Sequence, residues 1–187
     1  MVLEYCGKRL PFTVYVSSFW PGAHMRKVLV REEFCIGCGL CRVYCEAHHA
    51  GNDDPLKALK NCAAPHAGGI RIEQHDSLSV SVRCQHCAEP ACIEACLTGA
   101  MHRLEDDGPV LIDSDKCIGC GTCMLVCPYG AISRDSVSGK AVKCDGCLDR
   151  EIPRCVSICP NGALIVVDGV REPAISAATG SRPHILV

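Results

Sequence analysis

The chain has 187 residues and carries 18 cysteines against an aromatic content of only 4%, so its hydrophobic fraction of 48% overstates the material for an ordinary core. A chain so poor in bulky side chains needs staples, which leaves disulfides, zinc or iron-sulfur clusters. The formal net charge of -2, from 19 basic and 21 acidic residues, excludes a strongly basic nucleic-acid-binding face, and no apolar run approaches the roughly 18 residues of a membrane span.

Residues 1–24 carry no part of the pattern that follows. Lys8 and Arg9 precede an apolar stretch, but Pro11, Thr13, Ser17 and Ser18 interrupt it, so it reads as an appended extension rather than a secretory signal, with Met25 able to start the patterned chain. Val28 and Val30 then predict a strand ahead of a first cysteine run at Cys35, Cys38, Cys41 and Cys45. Residues 46–69, rich in Gly, Ala and Pro, read as a loop holding His48 and His49 as solvated side chains. Ile70, Ile72, Leu78, Val80 and Val82 predict strands before a second run at Cys84, Cys87, Cys92 and Cys96. GAMHRL, a DDG turn and the strand residues Val110 and Ile112 lead to a third run at Cys117, Cys120, Cys123 and Cys127. GAISR and an SVSG turn lead to a fourth at Cys144, Cys147, Cys155 and Cys159, followed by GALIVV and a tail over 171–187 containing Pro173, Gly180 and Pro183. Cys6 and Cys62 alone stand outside the four runs and read as idle thiols.

Every run begins CxxC and ends CxxxC, which is one unit used four times, clearest between FCIGCGLCRVYC and KCIGCGTCMLVCP. A [4Fe-4S] cluster needs four thiolates at the corners of a cube; a CxxCxxC loop wraps three of them, while a cysteine one helical turn further on points toward a neighbouring cluster. Gly37, Gly39, Gly119 and Gly121 let the loop curl closely, and Pro128 and Pro160 end the local helices. Zinc normally takes two CxxC pairs with a long gap, and cysteines two residues apart make poor disulfide partners, so both fit this spacing less well. His86, inside CQHC, is either a surface imidazole or a donor toward a cluster sulfur; Arg83, Lys116 and Lys143, each just ahead of a run, are either solvated strand ends or partial balance for cluster charge. Nothing in the sequence suggests a phosphate-binding glycine loop or a catalytic triad, so no catalytic residue is assigned.

With those motifs, above all RCQHCAEPACIEACLTGA and KCDGCLDREIPRCVSICPNGAL, residues 26–168 resemble the four-cluster iron-sulfur electron-transfer subunits of the DMSO reductase and formate dehydrogenase type and the iron-sulfur protein that partners carbon monoxide dehydrogenase. The resemblance implies an α+β fold of two ferredoxin-like lobes with pseudo-two-fold repeats, small β-sheets and short helices around four [4Fe-4S] clusters. It implies a first lobe from 25–69 and 135–170 and a second, 70–134, inserted in it. It also implies crossed ligand sets: Cys35, Cys38, Cys41 with Cys159; Cys144, Cys147, Cys155 with Cys45; Cys84, Cys87, Cys92 with Cys127; and Cys117, Cys120, Cys123 with Cys96. Leu97 and Glu46 depart from the proline that follows the last cysteine in many relatives. The expected function is electron relay in the cytoplasm between a redox enzyme's catalytic subunit (carbon monoxide dehydrogenase, formate dehydrogenase or hydrogenase) and an acceptor or donor protein, with no nucleic acid and no membrane span. A subunit of a molybdopterin oxidoreductase complex is the alternative, and a zinc-stapled interaction module the remote one.

Overall fold

The computed structural model describes residues 3–5, 8–10, 26–61, 68–106 and 108–167. Cys6, Cys62, Met25 and the tail at 171–187 lie outside them. Within the first segment expected to stand apart, β1 (Leu3–Tyr5) and β2 (Lys8–Leu10) pair antiparallel.

The patterned segment opens with β3 (Lys27–Val30), followed by α1 (Leu40–His49) and α2 (Pro55–Asn61). The hairpin β4 (Ile70–His75) and β5 (Leu78–Arg83) comes next, then α3 (Ala91–Glu94). A second hairpin pairs β6 (Met101–Arg103) with β7 (Val110–Ile112), as the sequence predicts, and leads to α4 (Thr122–Val126); Asp107 of the expected DDG turn lies outside the described residues. A third, β8 (Ser133–Arg134) and β9 (Ala141–Val142), turns through SVSG before α5 (Arg154–Ser157) and β10 (Leu164–Val167). β10 returns to pair antiparallel with β3, Leu164 opposite Val30 and Val166 opposite Val28, so the strand after the fourth run closes on the strand before the first. These are small two-stranded sheets with short helices, an arrangement of the α+β class.

Two ways of starting a helix recur. α1 and α4 follow Gly39 and Gly121, whose φ of 75° and 85° only glycine holds without strain. α3 and α5 instead follow Pro90 and Pro153, whose rings fix the chain at the helix entrance. α1 is the longest of the four run helices; Glu46 continues it past Cys45 and pairs one turn back with Arg42 at 2.8 Å. The expected loop at 46–69 is therefore partly helical, through the end of α1 and through α2. After the second, third and fourth runs the chain makes one turn three times: Gly99, Gly130 and Gly162 are left-handed and donate their N–H to the carbonyls of Cys96, Cys127 and Cys159.

Two hydrophobic clusters hold these pieces. One gathers Cys41, Cys45, Ile70, Cys155 and Leu164, with Val28, Val30, Ile72 and Cys159 against them. The other gathers Met101, Val110, Cys123, Ile132 and Ala141, with Cys92, Cys96, Cys117 and Cys127 against them. Val110 is 1% exposed, and full burial of a side chain that size contributes roughly 1.5–3 kcal/mol. Cysteines stand in both cores where larger apolar residues would ordinarily be. α1 packs on α5 and α3 on α4, so the first run's helix meets the fourth's and the second's meets the third's.

One strand inverts the ordinary alternation. On β5 the inward residues are Ser81 and Arg83, 3% and 2% exposed, while Leu78 on the other face is 57% exposed. The strand is present as its sequence predicts, but its polar side is buried toward the cysteine runs.

Candidate metal centres

The CxxC loops owe their shape to one backbone position. Gly37, Gly119 and Gly146, the third residue of three runs, have φ of 64°, 70° and 84°. The second run holds His86 in the same place, at φ 48°. At Gly119 a Cβ would also collide with the carbonyl oxygen of Gly139, so the loop lies flush on the β8–β9 turn. At Gly37 it would lie 2.6 Å from Gln74 Nε2 and 2.7 Å from Ser79 Oγ, because the tip of the β4–β5 hairpin covers the first loop. Arginines tie two loops down from behind: Arg103 donates to the carbonyls of Cys87 and Ala88 at 2.7 and 2.8 Å, and Arg134 to that of Gly119.

The structure brings the cysteines together across runs. One cleft is lined by Cys35, Cys38, Cys41 and Cys159 with Ile36, Gly37 and Pro160. Another is lined by Cys96, Cys117, Cys120 and Cys123 with Ile118 and Gly119. Burial pushes the Cys45 thiol far above its usual range, and Cys144, Cys147 and Cys155 add to that push. So the last cysteine of the first run sits among the first three of the fourth. Cys92 is raised by burial and by charge on Cys84 and Cys127. Burial pushes Cys147 and Cys155 up to about 12. At the other extreme Cys120 is exposed and held below its usual value by the hydroxyl and backbone of Thr122. Cys96 is also lowered: desolvation works against this, but the N–H groups of Met101 and Thr98 outweigh it.

Backbone donors already address the sulfurs. The N–H groups of His86, Met101, Ala131 and Gly146 donate to Cys84, Cys96, Cys127 and Cys144, each at 3.4 Å. Three of the side chains singled out in the sequence are settled by burial. Arg83 and Lys143 are 2% and 6% exposed, whereas the Lys116 side chain is 63% exposed and pairs with Asp113 at 3.4 Å. His86 is buried, not a surface imidazole; its Nδ1 accepts from the Val110 N–H at 3.2 Å. Burial, followed by the charges of Lys143 and Arg83, lowers its pKa to about 3, so it is neutral at pH 7.

Sequence reasoning missed a polar clamp between α1 and the fourth run. His48 and His49 lie on α1, not in a loop: His48 Nε2 meets Asp149 at 3.2 Å and His49 Nε2 lies 3.7 Å from Asp145. Arg150 donates to both carboxylate oxygens of Asp53 at 2.5 and 2.6 Å, and Arg154 stacks over the Tyr44 ring at 4.8 Å. Acidic and basic residues about 100 positions apart gave no local signal of that pairing.

The donor set fits iron-sulfur clusters. Thiols gather in fours beside small clefts, while no three His, Cys, Asp or Glu side chains among the described residues are placed to hold a single metal ion. The buried Arg83 Nε, Arg83 Nη2 and His86 Nε2 have no hydrogen-bond partner in the protein, and buried donors are rarely left so. Sulfide and thiolate are the acceptors such N–H groups suit.

Comparison with known proteins agrees. A 4Fe-4S dicluster domain model matches residues 76–169 and a 4Fe-4S binding domain model residues 32–47. The B subunit of the anaerobic dimethyl sulfoxide reductase of Escherichia coli (strain K12) is 38% identical over 141 residues, covering 70% of this chain and 67% of that protein. Electron transport protein HydN of the same organism is 32% identical over 177 residues, covering 86% of this chain and 98% of that protein. Among solved structures, the active site complex BamBC of benzoyl coenzyme A reductase as isolated aligns over 80% of this chain and 81% of its own at a TM-score of 0.43 and 24% identity, a likeness too loose to assign anything.

Proposed function

Because this protein belongs to the 4Fe-4S dicluster family of ferredoxin-like electron-transfer subunits, we propose that it relays electrons along four [4Fe-4S] clusters held in crossed pairs. Such a cluster, when bound, supplies a reversible one-electron couple. The ligand sets are Cys35, Cys38, Cys41 and Cys159; Cys144, Cys147, Cys155 and Cys45; Cys84, Cys87, Cys92 and Cys127; and Cys117, Cys120, Cys123 and Cys96. The observation that carries this is Cys45, which packs with Cys155 of the fourth run in the first core and whose thiol feels Cys144, Cys147 and Cys155.

The four sets follow one another in a line. Cys41 and Cys155 share a core, Cys144 feels Cys84 across the middle, and Cys92 and Cys96 share the second core with Cys117 and Cys123. Exposed cysteines occur only at the two ends of that line among the described residues, Cys38 with Ile36 and Phe34 beside it, and Cys120 with Ile118. The chain's own residues hold the sulfurs, bury Cys45, Cys147 and Cys155 in the middle and open the two ends to partners. Two lobes with pseudo-two-fold repeats, 25–69 with 135–170 and 70–134 inserted, are part of this reading. The β4–β5 and β8–β9 hairpins bridge the division, since Ile70 packs with the first set of cysteines and Ala141 with the second.

The partner at one end is the catalytic subunit of an oxidoreductase and at the other a second redox protein. The match to HydN, an electron transport protein, spans nearly that whole protein and supports a relay; the carbon monoxide dehydrogenase, formate dehydrogenase or hydrogenase kind of partner is our reading. The higher identity to the dimethyl sulfoxide reductase subunit favours the molybdopterin alternative. No described helix is long and apolar enough to cross a membrane, and operation in the cytoplasm belongs to the proposal. The test is Cys45→Ser in anaerobically purified protein. The cluster of Cys144, Cys147 and Cys155 should change its magnetic resonance signature while that of Cys35, Cys38 and Cys41 keeps its own; the reverse outcome refutes crossed ligation.

A further inference from the structure

We infer that Arg83, Lys143 and His86 form an electrostatic step at the junction of the two inner clusters, raising the reduction potentials of the Cys84 and Cys144 sets more than those of the two outer sets. This rests on the crossed four-cluster reading. Three independent features of the chain lead to it.

The first is placement. Arg83 and Lys143 immediately precede Cys84 and Cys144, the opening cysteines of the two inner sets, and both are almost wholly buried. Arg83 acts on Cys144, Cys155, Cys84 and Cys41, so its charge reaches both inner sets and the near edge of one outer set. Lys143 acts on Cys92 of one inner set while its Nζ is anchored to the carbonyls of Val110 and Cys144. The corresponding residues ahead of the outer sets are Phe34 and Lys116, both exposed.

The second is unspent donor capacity. Arg83 keeps Nε and Nη2 without a protein partner, and β5 turns its polar face inward to bring it there at the expense of exposing Leu78. Burying a guanidinium against apolar surroundings is costly unless negative charge faces it. The thiolates of two adjoining clusters are that negative charge.

The third is backbone strain. His86 occupies the left-handed position that glycine fills in the other three runs, a conformation that strains a residue with a Cβ. Its Nδ1 accepts a hydrogen bond from Val110, so the ring proton sits on Nε2, which is buried, unpartnered and turned toward the fourth run, where a Cβ on Gly146 would lie 3.8 Å from it. A strained residue kept at a functional loop points to use of its side chain.

An electron entering an inner cluster adds one negative charge there, with no proton and no bond change, and the same charge leaves when the next cluster takes it. Fixed positive charge and N–H donors favour the reduced side of that couple. The test is a dithionite titration of the intact holoprotein followed by electron paramagnetic resonance, with signals assigned through Cys38→Ser and Cys120→Ser. Arg83→Gln should lower the reduction equilibrium constant of the two inner clusters at least tenfold, about 59 mV for a one-electron couple, and shift the outer two by less, the Cys117 set least. Arg83→Lys should restore most of the shift, which a merely structural role would not do. Lys143→Gln should move the inner pair in the same direction and decides the matter if Arg83→Gln fails to assemble. Unmoved inner potentials in a fully loaded variant, or an equal shift of all four, would overturn the inference. Absence of four clusters in the parent protein, or an uncrossed response to Cys45→Ser, would instead overturn the reading beneath it.

Discussion

The first and third cysteine runs differ from the second and fourth in ways that their common CxxC opening conceals. In the first and third, the helix starts on a left-handed glycine, the middle cysteine of the loop is exposed, and an isoleucine 62% or 67% exposed stands beside it. In the second and fourth, the helix starts on a proline, the gap before the third cysteine is stretched, and a buried cation precedes the loop. One motif has therefore been bent to two tasks. A run that faces solvent keeps the tight spacing and lets a partner approach, while a run in the middle spends its extra residues on burying charge.

The largest effect that separates these regions should come from ligand removal. Cys120→Ser takes a thiolate from the exposed end, and loss of that one cluster should leave about 12 of about 16 iron atoms per chain. Cys147→Ser takes one from a set whose neighbours Cys45 and Cys155 are part of the hydrophobic core. Iron analysis should then show loss beyond a single cluster, with a lowered unfolding midpoint. Equal losses from the two variants would mean that the inner runs are no more structural than the outer ones.

A smaller effect should distinguish the loop glycines. Gly119→Ala must adopt φ near 70° and push its methyl into the Gly139 carbonyl, so both strain and overlap oppose it. Gly146→Ala meets its nearest atoms only at 3.8 Å and suffers the left-handed conformation alone. Denaturant unfolding should show a cost of about 1 kcal/mol for Gly146→Ala and about 2 kcal/mol or more for Gly119→Ala. A reversal would show that the fourth loop is more tightly covered than the protein alone makes it.

Most of this was legible along the chain, for a physical reason. Cluster ligation imposes its spacing on contiguous residues, so the four runs, the Gly-Ala turns after the last three and the two hairpins that follow are all local signals; the three turns form and both pairs of strands meet as their residues predict. What the chain conceals is which side faces in. Leu78, Val80 and Val82 alternate as a buried face should, yet Ser81 and Arg83 are the buried ones, because the neighbours of β5 are cysteine loops and not aliphatic side chains. Arg83, Lys116 and Lys143 are indistinguishable by position relative to a cysteine, and only tertiary contact separates the two buried cations from the solvated one. The extension of α1 through His49 was hidden for a simpler reason: the stretch rich in Gly, Ala and Pro beyond it obscured the helix.

The smallest effect concerns how an inner run is held from outside. Asp53 lies beyond α1 and receives two hydrogen bonds from Arg150 of the fourth run, with Arg154 and His48 close by at 3.8 and 3.7 Å. The Arg150 hydrogen bonds, more than any other influence, hold the Asp53 carboxyl below its usual range. The folded value is depressed, so the stabilisation is fully present above the unfolded value of about 3.9 and is lost as pH falls through the folded one. The Asp53 side chain is 57% exposed, and screening by water limits the pair to about 1 kcal/mol or less. Asp53→Asn should therefore lower the unfolding midpoint slightly and by the same amount at pH 6 and pH 8, with a smaller difference at high salt. Because the clamp touches the loop's outer side, cluster content and the inner potentials should stay as in the parent. A drop in iron content in Asp53→Asn would show instead that the fourth run depends on this surface clamp to keep Cys147 and Cys155 in place, and the division between a buried, self-supporting middle and adaptable ends would fail there.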